Sequence, residues 1–123
     1  MIIGVVNAAL EAIIPLSVQG AARTAQALDA VIDTGFNGSL TLAPTLVAAL
    51  GLTWLCRQQG QLADGSIQAF DVYTATVIWD SQLRTVEVEA ADGDPLVGME
   101  LLERHDLRIQ VVPGGPVTIT ALP

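Results

Sequence analysis

The chain has 123 residues, enough for one folded domain with its own core and too few for two. Hydrophobic residues make up 51% of the chain and the net charge is −8, which excludes a disordered acidic chain because disorder requires low hydrophobicity. The five cationic side chains are all arginines scattered along the sequence, so we expect no nucleic-acid partner. The composition therefore predicts a single globular domain spanning residues 1–123.

The first residues and the apolar runs argue against targeting and membrane insertion. Residues 1–6 have no cation ahead of their apolar side chains, unlike a secretory signal. No apolar run approaches the roughly 20 residues that a membrane helix needs. The single cysteine, Cys56, cannot form an internal disulfide. We therefore expect a cytoplasmic protein with no membrane partner.

Short runs rich in valine, isoleucine and threonine, bounded by glycine, aspartate and proline, predict a mainly β chain. The predicted strands are residues 2–6, 12–18, 28–32, 39–42, 54–59, 68–79, 83–90, 96–97, 107–112 and 117–120. Two short helices are predicted. The first, residues 44–50, begins at Pro44, which suits a first helical turn, and is followed by Gly51, which suits a left-handed cap. The second, residues 99–105, has acidic residues early and basic residues late, which complements the helix dipole.

The third predicted strand runs into the tripeptide Asp33-Thr34-Gly35. A hydrophobic strand that delivers a carboxylate into a glycine turn holds it on rigid backbone in dry surroundings, as acid–base catalysts require. The tripeptide can also be an ordinary turn, because Asp and Gly favour turns for local reasons. It occurs once in the chain, so a pair of carboxylates sharing one proton would need a second copy of the chain.

Two later segments complete the pattern. Asp64-Gly65 stands between two alternating segments and predicts a β-hairpin with an exposed tip, although such a pair also forms plain hairpin turns. Pro95-Leu96-Val97-Gly98 leads into the second predicted helix. Between them, Asp92 and Asp94 lack the further acids of a calcium loop and are interpreted as a solvated loop, so no metal site is predicted there.

Other polar residues are interpreted as structural. His105, the only histidine, falls at the end of the second predicted helix, where no motif supplies partners for metal binding or a serine triad. Arg84, Glu87 and Glu89 are interpreted as indicating one solvated side of their strand. His105 is not expected to take part in a site.

With the segment around Asp33, the hairpin around Asp64 and the segment around Gly98 in this order, the chain resembles the retropepsin-like aspartic proteases, in particular their small bacterial single-domain members. The resemblance runs from about residue 28 to residue 112. It implies a closed acid-protease β-barrel with a flap hairpin and one or two short helices. It also implies a symmetric homodimer in which each subunit contributes one aspartate, and no metal or organic cofactor.

The resemblance assigns roles to residues of this sequence. Asp33 is expected to be catalytic, Thr34 to lock the two active-site turns together through its hydroxyl, and Gly35 to allow close backbone approach. Gly98 is expected to let the later strand pass close to the catalytic turn. Substrate contacts are expected from Phe36, which stands where the family often has Ala or Ser, and from the hairpin tip. The tip residues are Ala63, Asp64, Gly65 and Ser66.

The activity implied is hydrolysis of peptide bonds in peptide or protein substrates by an Asp33 dyad formed across the homodimer. The alternative is a catalytically weak or inactive peptide-binding or dimerisation module that retains the same fold. In both cases residues 115–120 are expected to add strands between the subunits, since an unpaired apolar edge otherwise invites aggregation.

Overall fold

The computed structural model describes residues 1–22 and 24–123, and its fold is mainly β. The strands are β1 Ile2–Val6, β2 Ala12–Gln19, β3 Ala25–Ile32, β4 Leu40–Leu42, β5 Thr53–Gln61, β6 Ile67–Trp79, β7 Gln82–Ala90, β8 Leu96–Val97, β9 His105–Ile109 and β10 Pro116–Ala121. The helices are α1 Pro44–Leu50 and α2 Met99–Leu102. The predicted fold class is therefore confirmed, with most element ends within two residues of the prediction.

All ten strands belong to one hydrogen-bonded sheet, in the order β5-β6-β7-β4-β8-β3-β2-β1-β10-β9. A further antiparallel pairing joins β2 to β6, so that β2, β3, β8, β4, β7 and β6 follow one another in a ring. The predicted closed barrel takes the form of this ring. The pairs β3–β8 and β4–β7 are parallel, and the other pairings are antiparallel. β5 and the first half of β6 extend from the ring as a long hairpin.

The core is the apolar face enclosed by the ring. In β2, alternate residues from Ala12 to Val18 are buried, as the period of a strand with one inward face requires. Leu40 and Leu42 from β4, and Val88 from β7, are also fully buried. Burial of each such side chain stabilises the fold by about 1.5–3 kcal/mol. Ala30 of β3 is fully buried in the same core. The turn that follows β3 is therefore anchored to a packed interior.

The first helix agrees with the prediction and the second does not. α1 begins at Pro44 and ends at Leu50, and the Gly51 that caps it has a φ of 61°, the left-handed conformation that glycine adopts readily. α2 ends at Leu102, so the expected basic residues of its last turn lie outside it. Glu103, with a ψ of 136°, already leaves the helical conformation, and Arg104 follows with a left-handed φ of 63°. None of the helices in the described parts of the chain is long and apolar enough to cross a membrane.

The expectation that His105 ends a helix is wrong, because His105 begins β9 and pairs with Ala121 of β10. β9 stops at Ile109, three residues before its predicted end. The chain there turns tightly, with the Gly115 N–H donating to the Val112 carbonyl at 2.8 Å. Long-range pairing with β10 therefore shifts this strand toward the N-terminus relative to its apolar pattern.

The prediction that residues 115–120 form an intersubunit strand is also wrong. β10 lies between β1 and β9, and both of its edges are hydrogen-bonded within the chain. The terminal strands of the sheet are β5 and β9.

Candidate active site

Asp33 stands at the end of β3, in a turn that the neighbouring strand β8 holds in place. The Val31 N–H donates to the Pro95 carbonyl at 2.8 Å, and the Asp33 N–H donates to the Val97 carbonyl at 2.9 Å. Ala30 and Val97 on either side of this ladder are fully buried. Two backbone hydrogen bonds, from Val31 and from Asp33, therefore fix the end of β3 to β8 and to the buried core.

The turn itself is closed by the Asp33 side chain and main chain. Gly35 donates its N–H to Asp33 Oδ1 at 3.0 Å, and Phe36 donates its N–H to the Asp33 carbonyl at 3.1 Å. Asp33 is half-buried, whereas Thr34 and Gly35 are exposed. Among the described residues no donor reaches the second carboxylate oxygen, Oδ2. One oxygen of the carboxylate is thus held by the turn, and the other is left to meet a proton or a water molecule.

Gly98 and Phe36 lie against each other beneath this turn. A Cβ atom on Gly98 would lie 2.6 Å from Phe36 Cδ2 and 2.7 Å from the Phe36 carbonyl oxygen, closer than real Cβ atoms approach their neighbours. A Cβ atom on Gly38 would lie 2.6 Å from Phe36 Cζ. The half-buried Phe36 ring therefore packs on the Cα atoms of two glycines, and Gly98 passes close to the segment that follows the Asp33 turn.

The flap hairpin, formed by β5, β6 and the tip at residues 62–66, is closed by local hydrogen bonds. The Gly65 N–H donates to the Leu62 carbonyl at 2.9 Å, and Gly65 has a φ of 87° that a side chain would disfavour. The Ser66 hydroxyl donates to Asp64 Oδ1 at 2.6 Å and its N–H donates to the same oxygen at 2.9 Å. These two bonds hold the pKa of Asp64 below its ordinary value. The Asp64 carboxylate at the tip is thus already hydrogen-bonded to Ser66 of the same tip.

The structure brings together some of the predicted site residues and separates others. Asp33, Thr34, Gly35, Phe36 and Gly98 form one contiguous group around the turn. The tip residues Ala63, Asp64, Gly65 and Ser66 are all exposed and make hydrogen bonds only within the hairpin, among the described parts of the chain. Apolar Leu62 and Ile67, which flank the tip, are also exposed.

Glu89 is a residue of interest that the sequence interpretation missed. It was assigned to the solvated side of its strand, but it is half-buried and lines a cavity of about 400 Å³ beneath the flap hairpin. Burial raises the pKa of Glu89 above its ordinary value, and the charges of Glu87 and Glu100 raise it further. The alternation of the strand indicates which face Glu89 occupies, but it cannot show that the hairpin covers that face.

His105 and the acidic residues do not form a metal centre. Within residues 1–22 and 24–123 no group of three or more His, Cys, Asp or Glu side chains is placed to hold a metal ion. His105 Nε2 accepts a hydrogen bond from the Trp79 indole N–H at 3.2 Å, and His105 Nδ1 lies 2.8 Å from the Glu103 carbonyl. The imidazole therefore serves the packing between β6 and β9.

The ring of strands, the aspartate turn at the end of β3 and the long hairpin of β5 and β6 give this chain a fold similar to that of a retropepsin-like aspartic protease. This chain is similar to a solved structure of a retropepsin-like aspartic protease from Rickettsia conorii. The match covers 97% of this chain and 91% of the Rickettsia chain, with a TM-score of 0.58 and 18% sequence identity. No model of a known protein family matches the sequence, and no curated protein matches it significantly. The predicted resemblance is confirmed at the level of the fold.

Proposed function

We propose that residues 1–123 form one retropepsin-like domain that works as a homodimeric aspartic endopeptidase on peptide or protein substrates. The observation that carries the proposal is the Asp33 carboxylate, which is half-buried and held by the Gly35 N–H on a turn tied to β8. The likeness of the fold to a retropepsin-like protease supports it. A carboxylate in this setting is positioned and rigid, which are the requirements for general acid–base catalysis.

The chemistry requires two carboxylates, and the turn supplies one to each subunit. When two copies meet, the paired carboxyls share one proton because like charges at such close range cannot both ionise. The ionised carboxyl accepts a proton from a water molecule, which attacks the peptide carbonyl carbon. The protonated carboxyl donates to the carbonyl oxygen as negative charge develops on it. The tetrahedral intermediate then collapses: the C–N bond breaks, the carboxyl that took the water proton gives it to the leaving nitrogen, and the other carboxyl takes back a proton from a hydroxyl of the intermediate. No metal or organic cofactor takes part in these steps.

The residues around Asp33 have supporting roles in this proposal. The exposed Thr34 hydroxyl is available to the same turn of the partner, and the exposed Gly35 lets a substrate or partner backbone approach closely. The flap hairpin closes over the bound peptide and excludes water. Its tip residues, Ala63, Asp64, Gly65 and Ser66, together with Phe36, are assigned to substrate contact.

A peptide-binding or dimerisation module without turnover is the second candidate. The observation that favours it is the Phe36 ring, which follows the turn directly and occupies the space above Gly38 and Gly98. A bulky ring at this point can hold a peptide without bringing its carbonyl carbon to the carboxylates. Such a protein would capture extended peptides with or without the Asp33 carboxylate.

The test compares cleavage of a peptide library from acid to neutral pH by the wild-type chain, Asp33→Asn and Asp29→Asn. Asp29 is the matched control, because it is an exposed carboxylate on the same strand, four residues before Asp33. Sedimentation establishes the oligomeric state of each protein at the assay concentration. We expect a dimer that cleaves best on the acidic side of neutrality, that loses all cleavage in Asp33→Asn and that retains it in Asp29→Asn.

Equal cleavage by the wild type and Asp33→Asn would contradict the proposal, because the carboxylate is then not used. A monomeric protein that cleaves would contradict the shared dyad. Peptide capture by both proteins with cleavage by neither would establish the binding module instead.

A further inference from the structure

The cavity beneath the flap hairpin has walls from both the hairpin and the ring. Three residues of the flap hairpin line one side: Leu62, Gln68 and Phe70. Glu89 and Ala90 of β7 line the other side, together with Asp92. Its volume is about 400 Å³. This space accommodates one long side chain of an extended peptide lying under the flap.

Glu89 connects this cavity with the candidate catalytic turn. Its Oε1 atom lies 3.4 Å from the position that a Cβ atom on Gly38 would take, three residues after Gly35. Glu89 is half-buried, and among the described residues no arginine or N-terminal amine forms an ion pair with it. A partly desolvated carboxylate without a cationic partner interacts strongly with any cation that reaches it.

The lining of the cavity suits a side chain that is apolar along its stem and cationic at its end. Leu62, Phe70 and Ala90 provide apolar and aromatic surface, and Glu89 and Asp92 provide two carboxylates. Lysine and arginine side chains bury their methylene stems on apolar surface and place the charge at a polar rim. The Phe70 ring adds a face on which a guanidinium can stack.

The charges elsewhere in the described chain strengthen this match. Arg84 and Arg104 line a different cavity with His105, and none of the described arginines lines the cavity beneath the flap. Arg84 is further engaged by the carbonyls of Glu100 and Leu101. The field at the cavity is therefore negative, in a chain of net charge −8, and it attracts cationic substrates.

We propose that the cavity beneath the flap is a specificity pocket that selects an arginine or lysine side chain of the substrate through Glu89, with Asp92 as a second carboxylate. This inference rests on the proposed function, since it takes the Asp33 turn and the flap as the peptide-binding cleft. The expected substrates are extended peptides with a basic residue near the scissile bond.

The test measures kcat/KM at neutral pH, because acid would protonate the carboxylates of the cavity. Matched peptides carry Arg or Gln at one position, which is scanned through the positions around the cleaved bond. EDTA is present to keep divalent cations from the carboxylates. The proteins are the wild type, Glu89→Gln and the control Glu87→Gln, an exposed carboxylate two residues away on the same strand. We expect the wild type and Glu87→Gln to prefer Arg about tenfold at one position. Glu89→Gln loses that preference, and added salt weakens it in the wild type.

The same peptides are titrated into Asp33→Asn and into the Asp33→Asn/Glu89→Gln double variant, which separates selectivity from turnover. If the wild type cleaves without preferring Arg, or if Glu89→Gln and Glu87→Gln behave alike, the pocket assignment is overturned while the protease proposal stands. If no protein cleaves but Asp33→Asn binds Arg peptides more tightly and the double variant does not, the pocket stands as a feature of a binding module. Absence of both cleavage and charge-dependent binding overturns both proposals.

Discussion

Substitution of Gly98 by alanine tests how closely the segment that precedes α2 must pass the segment that follows the Asp33 turn. The added Cβ would lie 2.7 Å from the Phe36 carbonyl oxygen and closer still to the Gly38 carbonyl oxygen. Both obstacles are backbone atoms, so a change of side-chain rotamer cannot remove them. The Phe36 ring, at 2.6 Å from the same position, is the only obstacle of the three that can turn aside.

The size of the effect follows from the bonds that join the two segments. They are Gly98 N–H to Ser39 O at 3.0 Å, Met99 N–H to Phe36 O at 2.8 Å and Glu100 N–H to Gly38 O at 3.2 Å. Separating the segments enough to admit the Cβ stretches these bonds, and each buried group left unpaired costs about 1–3 kcal/mol. Residual overlap costs about 1–3 kcal/mol more. Gly98 is the buried donor residue of the three, so we count one lost bond together with the overlap and expect Gly98→Ala to lower the free energy of unfolding by about 2–6 kcal/mol. This is a large part of the about 5–15 kcal/mol typical of a domain.

Urea unfolding followed by tryptophan fluorescence measures this loss, and a fall in Tm of about 4 °C per kcal/mol accompanies it. Gly35→Ala is the matched control, because its Cβ meets only Asp33 Oδ1 at 3.3 Å, and its loss is expected to stay below about 1 kcal/mol. Phe36→Ala introduced into Gly98→Ala is expected not to restore stability, since the carbonyl groups remain. A loss below about 1 kcal/mol in Gly98→Ala, or rescue by Phe36→Ala, would refute the reasoning.

Three further predictions concern pH and the end of α2. Burial raises the pKa of Glu89 in the folded state, so its ionisation disfavours folding. The penalty begins as the pH rises through the ordinary pKa of the unfolded chain, is complete above the raised pKa of the folded state and is absent where both states are protonated. Glu89→Gln should therefore stabilise the protein at neutral pH by a margin that vanishes in acid, measured by urea unfolding across pH. Ser66→Ala removes the hydroxyl donor and should raise the pKa of Asp64 toward its ordinary value, as measured by NMR titration, and an unchanged pKa would show that the hydroxyl bond is absent in solution. Arg84→Met removes the donors to the Leu101 and Glu100 carbonyls at 3.2 and 3.3 Å and should cost about 1–2 kcal/mol, whereas Arg108→Met, an exposed control, should cost less than about 0.5 kcal/mol.

Local chemistry accounts for the features that the sequence predicts well. Gly51 and Gly65 both adopt positive φ, one at a helix end and one in a hairpin turn, and glycine has no Cβ to oppose this conformation. Asp33 follows a strand whose β propensity and apolar residues are evident in the sequence. Such features depend on a few adjacent residues, and they are recognised without knowledge of the rest of the fold.

Features that depend on distant segments were predicted less well. His105 looks like a helix end because acidic and basic residues precede it in helical order, yet pairing with β10 draws it into β9. Residues 115–120 look like a free terminal strand, yet β1 and β9 occupy both of their edges. In each case hydrogen bonds to a segment remote in the sequence outweigh a weak local preference.

The sequence by itself determined that this chain is mainly β, that a carboxylate follows its third strand in a glycine turn, and that a hairpin with a glycine tip comes after it. Only the tertiary structure decided that β2 and β6 close the ring, that Gly98 and Phe36 pack beneath the turn, and that the half-buried Glu89 lines a cavity. The physical reason is one of range. Turn and strand preferences reside in neighbouring residues, whereas enclosure and the charge environment of a carboxylate depend on which distant segments pack around it.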